Sequence, residues 1–334
     1  MKIIISAGGT GGHIYPAIEL AKYLQKNNHE ILFVSSSNDV AKRILKNENF
    51  NIKYYNMQGF KREKSFKSIM YNLNSLFKLI KTFISLIPVF IKFKPNICIG
   101  FGSYITYPVI KLGKLFKSKT YIHEQNSYPG LVNRLLKKSV DKIFITYKSS
   151  QEYFNTNNCI YTQTPRIYNY NGEKKEDYIL FLGGSLGAEK INQVACEYAK
   201  INQDKVYLIS GKRYFDEYVK YENNNFIINS YADDLLQIMA NAKVIVTRAG
   251  ASTLLEAVSL EKKIIAVPSP NVVNDHQMKN AEEFFKQGYL KILPEEDLSL
   301  DNITKLINDP FINYKYQKIN ACEIIAKEMG CLNS

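Results

Sequence analysis

The chain has 334 residues, of which 46% are hydrophobic and 22% are charged, a composition typical of a globular protein with two domains. Its five cysteines are scattered, with no C-x-x-C pair and no histidine at metal-ligand spacing, which argues against a structural zinc site and favours a reducing cytosol. The net charge of +13 favours an anionic partner, but the sequence has no helix-turn-helix, zinc-finger or RNP motif, so nucleic acid is not a predicted partner.

Short apolar segments alternate with helical patterns along the chain. This alternation predicts an α/β protein with two doubly wound parallel sheets that carry helices on both faces. In the first half the predicted strands are Lys2–Ser6, Ile31–Ser35, Ile52–Tyr55, Asn96–Gly100, Thr120–His123 and Lys142–Thr146. In the second half they are Tyr178–Leu182, Val206–Ser210, Phe226–Ile228, Val244–Thr247, Ile264–Pro268 and Leu290–Leu293.

A polar stretch from Asn155 to Asp177 separates the two series of strands, and we predict a linker within it, at 161–177. The first predicted domain then spans 1–160 and the second spans 178–312. A C-terminal helix within 313–334 is predicted to pack back on the first domain.

The loop after the first predicted strand reads Ala7-Gly8-Gly9-Thr10-Gly11-Gly12-His13 and leads directly into a helical pattern. Its glycines allow positive φ angles and close approach to a ligand, and the free N–H groups at a helix start favour an anion. His13 adds an imidazole that titrates near neutral pH, as a general base requires. The loop does not match the dinucleotide fingerprint, because Ile14 stands where the third glycine is needed, so a nicotinamide cofactor is not predicted.

The segment 61–94 carries over half of the net charge. It has eight basic residues and one acidic residue, a net charge of +7, and it is rich in large apolar residues. Its uncharged run from Thr82 to Ile91 is ten residues long, whereas a membrane-spanning helix needs about 20. Two interpretations stay open: an amphipathic surface that binds anionic lipid, or a buried core helix whose lysines face solvent.

The second half contains two further candidate motifs. The sequence Gly183-Gly184-Ser185-Leu186-Gly187 follows its first strand and repeats the Gly-Gly-hydroxyl-x-Gly pattern of the first loop. Thr253 and Glu256 have the spacing of a capping box, and spacing alone favours that structural role over ribose binding. Asp233 and Asp234 precede a predicted helix, Leu235–Ala240, and are predicted to cap it rather than bind a metal.

Five sequence blocks follow one another along the chain: Gly8–His13, Gly100–Tyr104, His123–Asn126, Gly183–Ala188 and Arg248–Glu256. They occur in the order found in the MurG family of UDP-N-acetylglucosamine:lipid I N-acetylglucosaminyltransferases, and the chain resembles that family from residue 3 to about residue 290. The resemblance implies a GT-B fold, in which two Rossmann-like domains face a cleft. It also implies a metal-independent, inverting transfer of GlcNAc from UDP-GlcNAc to the 4-hydroxyl of MurNAc in undecaprenyl-pyrophosphoryl-MurNAc-pentapeptide, without a cofactor.

In this context His13 is predicted to be the catalytic base, because the acceptor hydroxyl needs a base and imidazole titrates in a suitable range; the alternative is a capping role at the helix start. For the other site residues the resemblance gives the assignments. It assigns donor contacts, with Ser185 on the diphosphate, Glu256 on the ribose, and Gln277 and Asn126 on the sugar. The full set of assigned donor-binding residues is Thr10, Gly11, Gly12, Asn126, Arg166, Ser185, Ala251, Ser252, Thr253, Leu254, Leu255, Glu256 and Gln277. The assigned acceptor side is Gly8, Gly9, Gly102, Ser103 and Tyr104. The chain departs from the family pattern at Ser103, where glycine is usual, at Tyr107, where a small residue is usual, and at Arg166, which stands one place early.

A membrane-lipid acceptor implies that the enzyme is peripheral to the cytoplasmic face of the cell membrane, and it favours the lipid-binding interpretation of 61–94. Two alternatives to the lipid I transferase stay open. One is a GT-B enzyme acting on another lipid, such as diacylglycerol, and the other is a non-catalytic lipid-binding protein on the same fold. His123 is predicted to have a structural role.

Overall fold

Each half of the chain forms its own parallel sheet. In this computed structural model, which describes residues 1–61, 63, 65–165, 177–184, 187–232, 234–272 and 275–332, the chain divides into two units. The first unit comprises Met1–Ile167 and Ile319–Ser334, and the second comprises Tyr168–Lys318.

The first unit is a parallel sheet with the strand order β3-β2-β1-β4-β5-β6-β7. All six strands predicted for the first half are present, with small shifts at their ends. The elements are β1 (Lys2–Ala7), α1 (Gly11–Lys26), β2 (Glu30–Ser36), α2 (Asp39–Leu45), β3 (Asn51–Tyr55), α3 (Phe66–Phe93), β4 (Ile97–Gly100), α4 (Thr106–Leu115), β5 (Lys119–Glu124), α5 (Leu131–Leu136), β6 (Lys142–Ile145), α6 (Ser150–Phe154) and β7 (Cys159–Tyr161).

The sequence does not predict strand β7, which lies within the polar stretch from Asn155 to Asp177. This strand has three residues, is flanked by polar residues and, in the described part of the chain, pairs with β6 alone, at the edge of the sheet. A strand this short at an edge buries little apolar surface, so it leaves no hydrophobic run in the sequence.

The core of the first unit lies on both faces of the sheet. Ile3 and Ile5 of β1 pack against α1, whereas Ile4 belongs to the cluster on the opposite face. The predicted apolar face of α1 is confirmed, since Ile14, Ala17, Ile18, Ala21 and Leu24 are all buried.

The second unit has the strand order β10-β9-β8-β11-β12-β13, again parallel. Its elements are β8 (Tyr178–Leu182), α7 (Glu189–Ile201), β9 (Val206–Ile209), α8 (Phe215–Tyr218), β10 (Phe226–Asn229), α9 (Leu235–Ala240), β11 (Ala242–Thr247), α10 (Ala251–Ser259), β12 (Lys263–Ala266), α11 (His276–Phe285), β13 (Lys291–Ile292) and α12 (Leu300–Asn308). The chain then returns to the first unit through α13 (Ala321–Glu328), whose residues Ile325 and Ala326 join the core cluster of α1.

Helix α3 has an unusual distribution of side chains. It buries Leu86 and Phe90 near its end, but in the turns before them the inward residues are Ser68, Ser75 and Thr82. Its large apolar residues are mostly exposed: Phe66, Ile69, Met70, Leu73, Leu76, Phe77, Ile80, Ile84, Ile87 and Ile91. The interpretation as a buried core helix is therefore wrong.

The inward polar face of α3 is satisfied by the loop that precedes the helix. The hydroxyl of Ser75 donates to the carbonyl of Gly59 at 3.0 Å and accepts from Nε2 of Gln58 at 2.9 Å. Asn72 exchanges two hydrogen bonds with the backbone of Lys61, at 2.8 and 2.9 Å. Across the described residues, no helix has the length and apolarity needed to span a membrane.

Candidate active site

The candidate site of the first unit lies where the strand order of its sheet reverses, between β1 and β4. The loops after β1, β4 and β5 leave the carboxyl ends of three adjacent strands and therefore lie side by side. Ligands of open parallel sheets bind at this edge, next to such a reversal. His13, Gly102 and Asn126 thus belong to one local region although they are far apart in the sequence.

The first glycine loop is held by polar contacts from the end of β2. The backbone N–H of Gly9 donates to the hydroxyl of Ser36 at 3.1 Å, and Asn38 donates to the carbonyl of Gly9 at 2.9 Å. Gly9 has a φ of +80°, which favours glycine, and a Cβ on Gly8 would lie 2.6 Å from the Ser36 hydroxyl. The glycines therefore allow the loop to pack directly on β2.

His13 lies in the first turn of α1 and reaches back to its own loop. Its Nδ1 lies 3.2 Å from the carbonyl oxygen of Gly8, which can only accept a hydrogen bond, so Nδ1 carries the hydrogen. Nε2 is then the atom with the lone pair. Burial lowers the pKa of His13 below 6.5, while the charge of Glu124 and the bond to Gly8 act in the opposite direction.

The second glycine loop packs against the imidazole of His13. Gly102 has a φ of +80°, and a Cβ built on it would lie 3.0 Å from Cδ2 and 3.1 Å from Nε2 of His13. Ser103 follows with a φ of +67°, in the left-handed region that favours glycine. This conformation is a physical reason for glycine to be usual at that position of the family. The ring of Tyr104 packs at a tilt against that of Phe60, with ring centroids 5.8 Å apart, and so joins this loop to the one before α3.

The loop after β5 is organised by the buried carboxylate of Glu124. One oxygen accepts from the backbone and side-chain nitrogens of Asn126, at 2.9 and 3.2 Å. The other accepts from the backbone N–H of Gly130 at 2.9 Å and from Asn133 at 2.8 Å. Four donors on one carboxylate fix the loop, and with it the position of Asn126.

His123 has the structural role predicted from the sequence. It is fully buried, stacks on Phe101 with ring centroids 5.1 Å apart, and its Nε2 lies 2.9 Å from the carbonyl of Gln163. Burial lowers the pKa of His123 to about 4, so its ring is neutral at physiological pH.

In the second unit, the loops after β8, β11 and β12 also leave adjacent strands at the carboxyl edge of the sheet. Gly184 has a φ of +81°, close to the +80° of Gly9, so the two Gly-Gly turns share a conformation at their second glycine. Arg248 forms an ion pair with Glu295 and donates to the carbonyls of Val267 and Pro268, at 3.3 and 3.4 Å. Arg248 therefore ties two of these loops together.

The start of α10 corrects the capping-box interpretation. Gly250 is the N-cap and the helix begins at Ala251, so Thr253 lies in the first turn instead of at the cap. Glu256 lies in the second turn with its side chain buried. The backbone N–H groups of the first turn, at Ala251, Ser252 and Thr253, point out of the helix start, in the orientation that favours a phosphate.

Gln277 and Asp234 have defined contacts. Oε1 of Gln277 accepts from the backbone N–H of Ser269 at 2.9 Å, which leaves its Nε2 as the donating end of the amide. Asp234 caps α9 by accepting from the backbone N–H of Gln237 at 3.0 Å, which confirms the capping prediction for this residue. No group of three His, Cys, Asp or Glu side chains within the described residues has the geometry to hold a metal ion.

The structure thus brings together the predicted residues of each unit separately. Gly8 to His13, Gly102 to Tyr104 and Asn126 share the site of the first unit, and Ala251 to Glu256 and Gln277 share the edge of the second. Arg166, Ser185 and Asp233 lie outside the described residues. Sequence reasoning missed Glu124, Gln125 and Ser36 as contributors, although each stands at or next to the carboxyl end of a predicted strand.

Comparison with known proteins assigns both halves to one family. Residues 3–145 match the glycosyltransferase family 28 N-terminal domain, and residues 178–328 match the family 28 C-terminal domain. Relatives named UDP-N-acetylglucosamine–N-acetylmuramyl-(pentapeptide) pyrophosphoryl-undecaprenol N-acetylglucosamine transferase include that of Lactococcus lactis, 33% identical over 98% of this chain and 95% of its own length. The relative from Caldanaerobacter subterraneus is 34% identical over 93% of this chain and 92% of its own length.

The chain belongs to the MurG family of family 28 glycosyltransferases. The crystal structure of Acinetobacter baumannii MurG matches the fold with a TM-score of 0.76 at 22% identity, covering 99% of both chains. The GT-B fold class predicted from the resemblance is thereby confirmed.

Proposed function

We propose that the chain transfers GlcNAc from UDP-GlcNAc to the 4-hydroxyl of MurNAc in undecaprenyl-pyrophosphoryl-MurNAc-pentapeptide, which converts lipid I into lipid II. Its MurG relatives carry this activity in their names and match nearly the whole chain. Within the proposal, the transfer inverts the anomeric carbon and needs no metal ion.

The observation that carries the proposal is the position and tautomer of His13. The imidazole lies between the two glycine loops, at the reversal of strand order, with Nδ1 bonded to the Gly8 carbonyl at 3.2 Å. A base must be neutral to accept a proton, and the lowered pKa of His13 keeps it neutral at pH 7. Nε2 is therefore suited to accept the proton of a hydroxyl group.

In the proposed reaction, the acceptor oxygen forms a bond to the anomeric carbon from the face opposite the leaving group. The bond from that carbon to the phosphate oxygen breaks, and its electron pair leaves with UDP. The hydroxyl proton passes to Nε2 of His13. The acceptor side is proposed to comprise Gly8 and Gly9 together with Gly102, Ser103 and Tyr104.

The donor is proposed to bind at the carboxyl edge of the second sheet. The departing UDP gains negative charge, which oriented N–H groups at the start of α10 stabilise without a metal. Ser252 and Thr253 lie in that first turn, Glu256 is assigned to the ribose, and Nε2 of Gln277 is free to donate to the sugar because its Oε1 is held by Ser269.

We also propose that the chain is peripheral to the cytoplasmic face of the membrane and binds it through residues 61–94. This proposal is supported by the exposed apolar side chains of α3, including Phe77 at 66% and Ile84 at 63% exposure. The same segment has a net charge of +7, which attracts anionic lipid headgroups. Tyr104 of the acceptor loop packs against Phe60, which directly precedes residues 61–94, so the acceptor loop lies next to the start of this segment within the first unit.

The test is transfer of labelled GlcNAc by the purified full chain, with a short-chain lipid I analogue, diacylglycerol or no acceptor, each with and without EDTA. The proposal predicts product with the lipid I analogue alone, at a rate that EDTA leaves unchanged. UDP-glucose in excess is expected to compete weakly. Product with diacylglycerol would support the alternative lipid acceptor, and binding without turnover would support the non-catalytic alternative.

A further inference from the structure

Gln125 is the first residue after β5. The nitrogen of its side-chain amide has a hydrogen-bond partner, whereas the oxygen has none among the described residues. The residue is only 5% exposed, and its Nε2 lies 3.1 Å from Nδ1 of His123. Its Oε1 has no hydrogen-bond partner among the described residues. Buried polar atoms are nearly always paired, so an unpaired one indicates a partner that is present in another state of the site.

The types of donor and acceptor determine which way this amide faces. The carbonyl of Gln163 can only accept, so Nε2 of His123, at 2.9 Å from it, carries the hydrogen. The ring is neutral because burial lowers the pKa of His123, and Nδ1 is therefore an acceptor. Since Nδ1 needs a donor, the nitrogen of Gln125 faces His123 and Oε1 faces away from it.

Oε1 of Gln125 faces the space beside Gly102, which His13 also borders. A Cβ built on Gly102 would lie 3.8 Å from Oε1 of Gln125 and 3.1 Å from Nε2 of His13. Glycine at residue 102 therefore leaves one small space between the imidazole edge and the amide oxygen. Nδ1 of His13 is already bonded to the Gly8 carbonyl, so Nε2 is the nitrogen that gains a proton.

We infer that Gln125 is a positioning residue whose Oε1 accepts a hydrogen bond from Nε2 of His13 once this nitrogen is protonated. The inference rests on the proposed role of His13 as the general base. Before transfer, Nε2 has a lone pair that receives the proton of the acceptor hydroxyl. After transfer it has an N–H, and the amide oxygen holds that hydrogen.

When His13 is protonated, a series of hydrogen bonds links it to Gly8 on one side and to Gln125 and His123 on the other. His13 donates from Nδ1 to the Gly8 carbonyl and from Nε2 to Gln125, Gln125 donates to His123, and His123 donates to the carbonyl of Gln163. Every donor in this series faces an acceptor. A hydrogen bond to a charged group is stronger than one between neutral groups, so Gln125 stabilises the imidazolium.

Other titratable side chains belong to the elements around His13 or to the hydrogen-bond series, and the proposed substitutions do not replace them. Glu124, at the end of β5, raises the pKa of His13 through its charge. Tyr15 lies on α1 itself, and Tyr104 lies in the loop after β4. His123 stays neutral above pH 5, since burial lowers its pKa to about 4.

The test is a titration of imidazole nitrogens by NMR on the full chain labelled with ¹⁵N-histidine, which contains four histidines. Gln125→Leu removes the amide oxygen at similar volume and is expected to lower the pKa of His13 by about one unit. Gln125→Glu is expected to raise the pKa of His13, because an oxygen of a carboxylate accepts more strongly.

The matched control is Thr164→Val, which removes another buried polar atom that is unpaired within the described residues. It is expected to leave the pKa of His13 unchanged. An unchanged His13 pKa in Gln125→Leu and Gln125→Glu, or an equal shift in Thr164→Val, would overturn the inference.

The kinetic readout separates this inference from the proposed function. In Gln125→Leu, the acid limb of kcat/KM is expected to move to lower pH by the same shift, with kcat reduced at least tenfold and the Kd for UDP-GlcNAc unchanged. If the pKa of His13 shifts but the unsubstituted chain transfers no GlcNAc, the proposed function fails and the hydrogen-bond series stands. If the chain transfers GlcNAc but no variant of Gln125 moves the pKa, the inference fails alone.

Discussion

Nδ1 of His13 lies 3.2 Å from the carbonyl oxygen of Gly8, and this contact fixes the tautomer of the imidazole. Because a carbonyl only accepts, Nδ1 donates and Nε2 has the lone pair. Gly102 packs on the same ring from the neighbouring loop, with its missing Cβ next to Nε2. The two glycine loops together therefore orient the nitrogen that we propose as the base.

Gly102→Ala tests whether the close packing of this loop on His13 matters for transfer. The new Cβ would lie 3.0 Å from Cδ2 of His13, at a φ of +80°. The control, Gly330→Ala, has a similar φ of +73° but no atom within 4 Å of the new Cβ. Urea unfolding is expected to show a loss of about 1–2 kcal/mol from the backbone strain in both variants.

Only Gly102→Ala is expected to lower kcat, by at least tenfold, because the displaced imidazole no longer meets the acceptor hydroxyl. Steady-state transfer assays on the two variants check this. Equal kcat values for them would show that the packing of Gly102 on His13 has no bearing on the reaction.

Ser103→Gly is expected to stabilise the first unit, because Ser103 has a φ of +67°. Relief of left-handed strain, of about 1–2 kcal/mol, exceeds the entropy that glycine adds to the unfolded chain, of about 0.5–1 kcal/mol. The midpoint of urea unfolding checks the net gain of up to about 1.5 kcal/mol. Ser103→Ala, which keeps the strain, is the control, and a glycine variant no more stable than it would refute the argument.

The low pKa of His123 predicts a loss of stability in acid. Its pKa is about 4 in the folded chain and 6.5 in the unfolded chain, so only the unfolded state gains the proton between these values. The stabilisation is complete above pH 6.5 and is lost as the pH falls towards 4. At about 1.36 kcal/mol per pH unit, the free energy of unfolding drops by about 2 kcal/mol between pH 7 and pH 5.

Urea unfolding at both pH values measures this drop, with His123→Leu as the comparison. The variant is less stable throughout, but its drop between pH 7 and pH 5 is expected to be much smaller. Some dependence remains, since burial also lowers the pKa of His13. Equal drops in the two proteins would exclude His123 as the source.

Much of the fold could be predicted from the sequence because each central strand is buried on both faces and therefore reads as an apolar run. Ile3, Ile4 and Ile5 of β1 show this directly. The orientation of α3 could not be predicted in the same way. Its Ser75 is buried because the loop residues Gln58 and Gly59 satisfy the hydroxyl, and such contacts leave no periodic signal.

The candidate site likewise has one part that the sequence predicts and one part that it does not. One glycine loop next to His13 is a local pattern that the sequence displays in full. The orientation of Gln125 depends on the carbonyl of Gln163, 40 residues away from His123, and on the burial of the histidine between them. A hydrogen-bond series between distant segments appears only when the strands are placed side by side.

The exposed apolar side chains of α3 predict binding to anionic vesicles. Phe77→Ser with Ile84→Ser is expected to reduce flotation with such vesicles by at least tenfold, since each side chain contributes about 1.5–3 kcal/mol when buried. Ile201→Ser, which replaces a side chain 70% exposed on α7, is the control and is expected to float normally. Unchanged flotation of the α3 variant would remove this helix from the membrane contact.

Neutralising Lys61, Arg62, Lys64 and Lys67 tests the electrostatic part separately. Each basic residue near an anionic surface contributes about 1 kcal/mol, so binding at low salt is expected to weaken while binding at high salt changes little. Flotation at two salt concentrations measures this difference. Undiminished binding at low salt would exclude the basic residues from the contact.

The most direct test of the central claim is a comparison of turnover and donor binding in His13→Ala. General base catalysis contributes about 10²–10⁴-fold, so kcat for GlcNAc transfer to a lipid I analogue is expected to fall by that factor. The Kd for UDP-GlcNAc is expected to stay within about twofold of the unsubstituted chain, because the side chain removed acts on the acceptor proton. Near-normal turnover in His13→Ala would contradict the account and remove His13 from the mechanism.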